Sequence, residues 1–547
     1  MDRIFLLAVL LIALVGRLPG VTSAGGPVQR VHLEMVPGKI SDSGSYKYLP
    51  QTMRLFEQTQ GTGPFEMRVH NASLNGGITS IGEYFTRIKV GGQDFRVQVD
   101  TGSSTLAIPL VQCRSCHPGD LRYSSEKSAT EKALPITCAS SQCGENTCRA
   151  GCSQCIDGKC CSEENPSLCG FFLRYGDGSG AQGALMYDQM EWGGLSVDGN
   201  FGGILKDSRN FEQDGVDGIM GLAYPSLGCT PTCMTPIFDL MVNDKLVDDI
   251  FSICLAEHGG VITLGDYDSQ TMKSQITWVP MVTSYPPTFY TVSLPGYMRI
   301  GKRDVNLPKF NTAIVDSGTT LLVVSTNTFL GIAKHLKTHH CDVPGLCGKN
   351  SWFQPAVCVT INDAGLALMP KLSFLVGPDK EVLELLPEHY MLPFEDTGKK
   401  FRCVGIMTSD GISEVDVILG NTLNMRYVTT YDRKNSRMGF SQRRKDCGLA
   451  TTRCESFWRC EECAAAQGCE YNYSLKGCFE KNQKTASWFP YPSCSGPLCF
   501  CRFGIGGWVY HAVVGVGMGL LVAAIVILLS RLAISSRARQ GYEEIPR

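Results

Sequence analysis

The 547-residue sequence lacks an excess of either charge: 50 Lys and Arg stand against 52 Asp and Glu. Without a basic surplus there is no electrostatic footprint for nucleic acid, and that class of partner is excluded. Histidine is scarce, at nine residues. No His-Glu-x-x-His occurs and His339-His340 is the sole adjacent pair, so a metal-dependent hydrolase of that type has no ligand set here. One long stretch lacks charge altogether. Residues 503–530 contain no Asp, Glu, Lys or Arg, and their core, 509–529, is long enough for one membrane helix. Arg531, Arg537 and Arg539 follow it, so the positive-inside tendency places the tail 531–547 in the cytosol and all that precedes the helix in the lumen or outside the cell.

What the chain has in abundance is cysteine, 26 residues, which fits an oxidising compartment. The amino terminus agrees. Residues 1–24 read as a signal peptide: a charged start, the apolar run 4–15, then small residues ending Thr-Ser-Ala. The apolar run is too short to span a bilayer.

Residues 97–106 (VQVDTGSSTL) and 313–322 (AIVDSGTTLL) are two copies of one pattern. Each is a β-rich apolar run, then Asp, a hydroxyl residue, Gly and two more hydroxyl residues. A carboxylate at the end of such a run is costly to bury unless hydroxyls and backbone N–H groups hold it. Thr101, Ser103 and Ser104 supply hydroxyls after Asp100; Ser317, Thr319 and Thr320 do so after Asp316. Two such turns can bring two carboxylates face to face, where both cannot ionise together, an effect well known from aspartic proteases. One Asp-Thr-Gly alone would be an ordinary strand-to-turn corner. Each copy, however, is followed by an Asp, an apolar run and a Gly: residues 217–223 (DGIMGLA) and 416–420 (DVILG), with Gly221 121 positions after Asp100 and Gly420 104 after Asp316.

With these motifs the chain resembles the pepsin-like aspartic proteases. The matching stretches are 82–104, 175–179 (YGDGS), 217–224, 313–322 and 417–440, and the resemblance covers about residues 80–445. It implies a mainly β, bilobal, double-ψ fold, with an amino-terminal lobe over 79–285 and a carboxy-terminal lobe over 286–446, the crossover lying in 276–295. It also implies a propeptide within 25–78 that fills the cleft, with Lys47 as a candidate to face the carboxylates. The family carries a Trp seven residues after the first catalytic Asp; here that position is Ala107, which leaves the hydrogen-bond partner of the flap tyrosine open. Membrane-anchored beta-secretase is similar in this respect and in its anchor.

Ten cysteines fall between 113 and 169. Cys-x-x-Cys at 113/116 and 152/155 has zinc spacing, but the secretory context and the even count favour disulfides. An insertion of this kind resembles the nepenthesin and plasmepsin V subgroups, and is expected to pack outside the cleft. Residues 171–180 (FFLRYGDGSG) read as a β-hairpin with Asp177-Gly178 at the turn. By resemblance this is the flap that closes over substrate, with Tyr175, Gly176 and Asp177 as substrate-binding residues. Cys341, Cys347, Cys358 and Cys403 can pair among themselves, which leaves Cys254 and Cys447 to pair with each other. Residues 447–502 form a second Cys-rich stretch, similar to the small plexin–semaphorin–integrin module or else an irregular stalk. Asn71 and Asn472 lie in glycosylation sequons. The tail ends Tyr542-Glu-Glu-Ile545, which resembles a sorting signal read by an adaptor.

The expected function is an aspartic endopeptidase acting on secretory-pathway or surface proteins, as a single-pass type I membrane protein. Asp100 and Asp316 would be catalytic, supported by Thr101, Gly102, Ser103, Ser317, Gly318 and Thr319. No metal or organic cofactor is implied. The alternative is a catalytically inactive, membrane-anchored binding or adhesion protein built on the same fold.

Overall fold

The computed structural model describes residues 29–39, 52–58, 67–73 and 77–448, with short internal omissions such as 176–178 and 209–215, and the strand segments 469–472, 477–480 and 493–494. The signal peptide, Lys47, the apolar stretch 503–530 and the tail from Tyr542 to Ile545 lie outside the described residues. Among the described residues no helix is long and apolar enough to cross a membrane. The chain forms two compact units, 1–449 and 450–547.

The first unit is mainly β, and it contains one strand arrangement twice. In the first half, Gln93–Asp100 lies between Gly77–Val90, antiparallel, and Gly218–Gly221, parallel. Gly218–Gly221 then pairs antiparallel with Leu106–Pro109, which pairs parallel with Leu195–Asp207. In the second half, Thr312–Val315 lies between Thr291–Ser293, antiparallel, and Val417–Leu419, parallel. Val417–Leu419 pairs antiparallel with Leu322–Val324, which pairs parallel with Ile406–Thr408. The order and the directions agree strand for strand. Strands of this kind, covered on both faces, need apolar residues at successive positions rather than alternation. Gly218–Gly221, Leu106–Pro109, Leu322–Val324 and Val417–Leu419 are buried along their whole length.

A further sheet region binds the two halves. Ile250–Ala256 pairs with Gly259–Leu264 on one side and with Tyr427–Asp432 on the other. Arg437–Gln442 and Thr277–Pro280 continue it. At the opposite edge of this region Gln29–Lys39 runs between Gly259–Leu264 and Gly77–Val90. The segment before the first motif therefore supplies a strand to the body of the fold, and the last part of the second half is hydrogen-bonded to the first.

All ten cysteines of the 113–169 insertion pair inside it: 113–116, 138–161, 143–169, 148–155 and 152–160. The insertion packs on the base of the hairpin made by Gly170–Arg174 and Gly180–Trp192. Ile136, Cys138, Cys143, Cys161 and Cys169 share an apolar cluster with Phe171, Leu173, Ala181 and Leu185. The Ile136 N–H donates to Leu185 O at 2.9 Å and the Cys169 N–H to Ile136 O at 2.8 Å. The insertion thus buttresses the hairpin, a contact that cysteine spacing could not reveal. Elsewhere, Cys229 bonds Cys233, Cys341 bonds Cys347 and Cys358 bonds Cys403. Cys254 and Cys447, 193 positions apart, are also joined, with their Cα atoms 5.9 Å apart.

The second unit contains a small antiparallel sheet in which Cys469–Asn472 lies between Gly477–Glu480 and Ser493–Cys494.

Candidate active site

Asp100 ends the strand Gln93–Asp100, and Asp316 follows Thr312–Val315 directly. Both carboxyl groups are buried, with Asp100 0% and Asp316 5% exposed. Each is held by its own turn in the same way. The Gly102 N–H donates to Asp100 Oδ1 at 2.9 Å, and Ser103 Oγ to Asp100 Oδ2 at 2.5 Å. The Gly318 N–H donates to Asp316 Oδ1 at 2.8 Å, and Thr319 Oγ1 to Asp316 Oδ2 at 2.5 Å. Hydrogen bonds of this kind offset the cost of a desolvated carboxylate.

The two turns face one another closely. A Cβ placed on Gly102 would lie 2.6 Å from Asp316 Oδ2, and one on Gly318 would lie 2.1 Å from Asp100 Oδ1. Each glycine is therefore required by the carboxylate of the opposite half. Glycine also lets the later loops approach: a Cβ on Gly221 would meet the Ser104 N–H at 2.4 Å, and one on Gly420 would meet Leu321 O at 2.2 Å.

Thr101 and Ser317 lock the turns together. Thr101 Oγ1 donates to Val315 O at 3.0 Å and accepts from the Ser317 N–H at 2.9 Å. Ser317 Oγ donates to Val99 O at 2.8 Å and accepts from the Thr101 N–H at 3.2 Å. Thr101 Oγ1 has thus used its one proton, so the Tyr431 hydroxyl, 3.4 Å away, is the donor to it. Burial pushes the Tyr431 phenol up to about 12, which keeps that proton in place.

Several supporting residues carry no mark in the short motifs. Asn424 Nδ2 donates to Asp316 O at 2.9 Å and Asn421 Nδ2 to Ser317 O at 3.1 Å. Both stand in the 417–440 run, where an Asn after the Ile-Leu-Gly sequence was a usable signal. Tyr290 Oη donates to Leu222 O at 2.5 Å, while the Leu222 N–H donates to Asp100 O at 2.8 Å. Ser104 Oγ donates to Tyr224 O at 2.7 Å. Tyr431 stacks on Phe251 at 4.5 Å and meets Tyr290 edge-on at 4.7 Å, and Arg433 lies over Tyr224 at 4.8 Å while pairing with Asp239. Such aromatic packing fixes the strands from which the turns project.

The other motif acids have structural places. Asp217 accepts from the Arg96 N–H at 2.8 Å and the Leu121 N–H at 2.7 Å, and pairs with the Arg96 guanidinium at 3.1 Å. Asp416 accepts from the Asn311 N–H at 2.8 Å. Tyr175 closes the end of its hairpin, its N–H donating to Ser179 O at 2.9 Å, and packs on the apolar cluster that contains Ala107. Gly176, Asp177 and the side chains of Asn71 and Asn472 lie outside the described residues.

Residues 83–443 match the model of the eukaryotic aspartyl protease family. The chain belongs to this family. It is 27% identical over 380 residues to cathepsin E of Aquarana catesbeiana, covering 66% of this chain and 79% of that protein. Pepsin A of Sus scrofa is 28% identical over 380 residues, covering 66% and 81%. The protein is an aspartic-type endopeptidase and acts on peptide or protein substrates. The inactive adhesion protein considered above is set aside, and the paired turns are the part of this aspartyl protease that carries two facing carboxyl groups.

Proposed function

We propose that Asp100 and Asp316 form the catalytic pair and share one proton. The observation that carries this reading is the mutual fit of the turns, in which each glycine leaves room for the opposite carboxylate. Close carboxyls disfavour double ionisation, so one acts as base and the other as acid. A water between them loses a proton to the ionised carboxylate and attacks the scissile carbonyl carbon. The protonated carboxyl donates to the forming oxyanion, and a proton then passes to the leaving amine as the C–N bond breaks. Ser103 and Thr319 hold the outer oxygens, while Thr101 and Ser317 keep the two turns in register. The substrate lies as an extended strand held by backbone hydrogen bonds, with the hairpin around Tyr175, Gly176 and Asp177 closing over it.

The natural substrates, in this reading, are proteins of the secretory pathway or the cell surface. Residues 1–24 are a signal peptide, 25–78 include a propeptide, 79–285 and 286–446 are the protease lobes, 447–502 a Cys-rich module or stalk, 503–530 a membrane helix and 531–547 a cytosolic tail. Glycans on Asn71 and Asn472 and an adaptor at Tyr542 to Ile545 follow from the same topology. The support is the chain-wide pattern of charge, cysteine and apolar runs. Cleavage-site profiling of the purified protein on a peptide library across acid and neutral pH tests the chemistry. A restricted set of sites, cut with both aspartates intact and unaffected by chelator, is expected; chelator-sensitive cleavage would overturn the mechanism.

A further inference from the structure

Cys229 and Cys233, four positions apart, close a small ring in the first half of the chain. Among the described residues this is the one bridge of which both cysteines are exposed. The bridges 143–169, 254–447 and 358–403 join buried residues only. Closing so short a ring removes little freedom from the unfolded chain, so it adds less to stability than the bridge that spans 193 positions. A bridge that is exposed and adds little stability is one that exchanges with free thiols.

The ring stands between the first catalytic turn and the flap hairpin. On the side of the turn, the Ala223 N–H donates to Ser103 O at 2.8 Å and Ser104 Oγ to Tyr224 O at 2.7 Å. The Met234 N–H then closes on Gly228 O at 2.9 Å, across the mouth of the ring. On the side of the hairpin, Pro231 is bridged to Phe171 of the strand Gly170–Arg174. Thr232 is buried, and its Oγ1 accepts from the Gly144 N–H at 3.3 Å and lies 3.3 Å from Cys169 Sγ. Cys169 is bonded to Cys143 and has no thiol proton, so Thr232 is the donor of that pair. Cys169 directly precedes the hairpin, and Met234 joins the apolar cluster that contains Phe171, Leu173 and Ala181.

We propose that Cys229–Cys233 is a thiol-exchange site for small-molecule thiols of the glutathione class, and that its opening loosens the flap. The inference rests on the reading that this hairpin closes over substrate. A thiolate attacks one Sγ of the bridge, the S–S bond breaks, and the other Sγ leaves as a thiolate that takes up a proton. A second thiol then displaces the first, so two protein thiols and one small-molecule disulfide result. The open ring no longer holds Pro231 on Phe171 or Thr232 on Cys169. The base of the hairpin then loses its fixed distance from the turn that carries Asp100. Closure of a flap of this kind orients the peptide, so a loose base costs turnover. Reoxidation by the small-molecule disulfide reverses both steps and restores the ring.

The test equilibrates the purified, disulfide-intact full chain near neutral pH in glutathione buffers that run from oxidised to reduced. Acid then stops exchange, because the thiolate is the attacking form. Alkylation with mass mapping reads which cysteines have opened, and cleavage of a peptide in acid reads kcat/KM. Cys229 and Cys233 should be alkylated before any buried bridge opens. At that point kcat/KM should fall by about ten- to a hundredfold, the larger figure being the cost of a 1 Å displacement transmitted from a distance. Oxidised glutathione should restore it. Thr232→Val, with the bridge closed, should show the lowered kcat/KM from the start, while Thr232→Ser keeps the hydroxyl and should match wild type. Cys341→Ser/Cys347→Ser, which removes another short bridge, should keep both the activity and the response. Tyr175→Ala tests the flap reading by itself: unchanged turnover there would remove that reading, whereas a fall there without any response to the bridge would remove only the ring's control of the flap. Cys229 and Cys233 staying oxidised until buried bridges open, or opening with kcat/KM unchanged, would overturn the proposal.

Discussion

A methyl group on Gly318 would lie 2.1 Å from Oδ1 of Asp100, a residue 218 positions earlier in the chain. The counterpart is Gly102, whose Cβ would lie 2.6 Å from Oδ2 of Asp316. Neither distance can be relieved by a flexible side-chain end, since each carboxyl is held by its own turn. Gly318→Ala must therefore push the two turns apart. Displacements of about 1 Å at a reacting centre cost on the order of a hundredfold in rate. The expected result is a fall of that size in kcat/KM with the far-ultraviolet circular dichroism retained; wild-type turnover in Gly318→Ala would mean that the turns have more freedom than this geometry allows.

Two acids in the first half respond to pH in opposite directions. Burial alone would raise the Asp188 carboxyl, but donors from Thr130, Tyr123, Ser128 and the Gln189 N–H hold it below its ordinary value. Its contribution to stability is therefore present above the unfolded carboxyl value and is lost as pH falls through the lower folded one. Asp188→Asn should destabilise by about 1–3 kcal/mol near neutral pH, a difference that narrows in strong acid. Thermal melts of the two proteins across pH measure it.

Asp120 behaves the other way. Burial, with Asp217 and Asp207 nearby, pushes it up to about 8. A raised carboxyl stabilises fully below the unfolded value, about 3.9 for an aspartate, and that contribution fades as pH rises toward the folded value. Asp120→Asn should therefore melt higher than wild type near pH 8 and alike in acid. This arrangement favours the folded state under acidic conditions. Equal melting curves at every pH would show that Asp120 ionises normally.

The bridge between Cys254 and Cys447 closes a separation of 193 residues. Loss of a native disulfide typically costs about 2–5 kcal/mol, mostly by freeing the unfolded chain. The Cys254→Ser/Cys447→Ser double variant should unfold at lower denaturant by that amount, read from equilibrium unfolding, while the dyad turns and proteolysis persist at low temperature.

The repeat of Asp-Thr-Gly and Asp-Ser-Gly was legible because each turn is built from neighbouring residues: the Gly102 and Ser103 donors to Asp100 are two and three positions away. The cross-brace of Thr101 and Ser317 was legible only through resemblance, since 216 residues separate them. Tyr290, Tyr431 and Asn424 carry no mark in the sequence, because a buried aromatic or an Asn in a strand-to-helix corner looks the same whether it holds a catalytic loop or only fills a core. The insertion showed the same limit. Its cysteine count pointed to disulfides, but contact of Ile136 and Cys169 with Leu185 depends on where the hairpin lies in space.

The shared proton is the centre of this account, and Asp100→Asn and Asp316→Asn test it most directly. Each should fold and melt close to wild type, since an amide fills the same space, while kcat/KM on a cleaved peptide falls by about a thousandfold or more. The double variant should be no worse than either single one, because the two carboxyls act as a unit. Near-wild-type turnover in either single variant, measured on folded protein freed of any co-purifying protease, would contradict the mechanism.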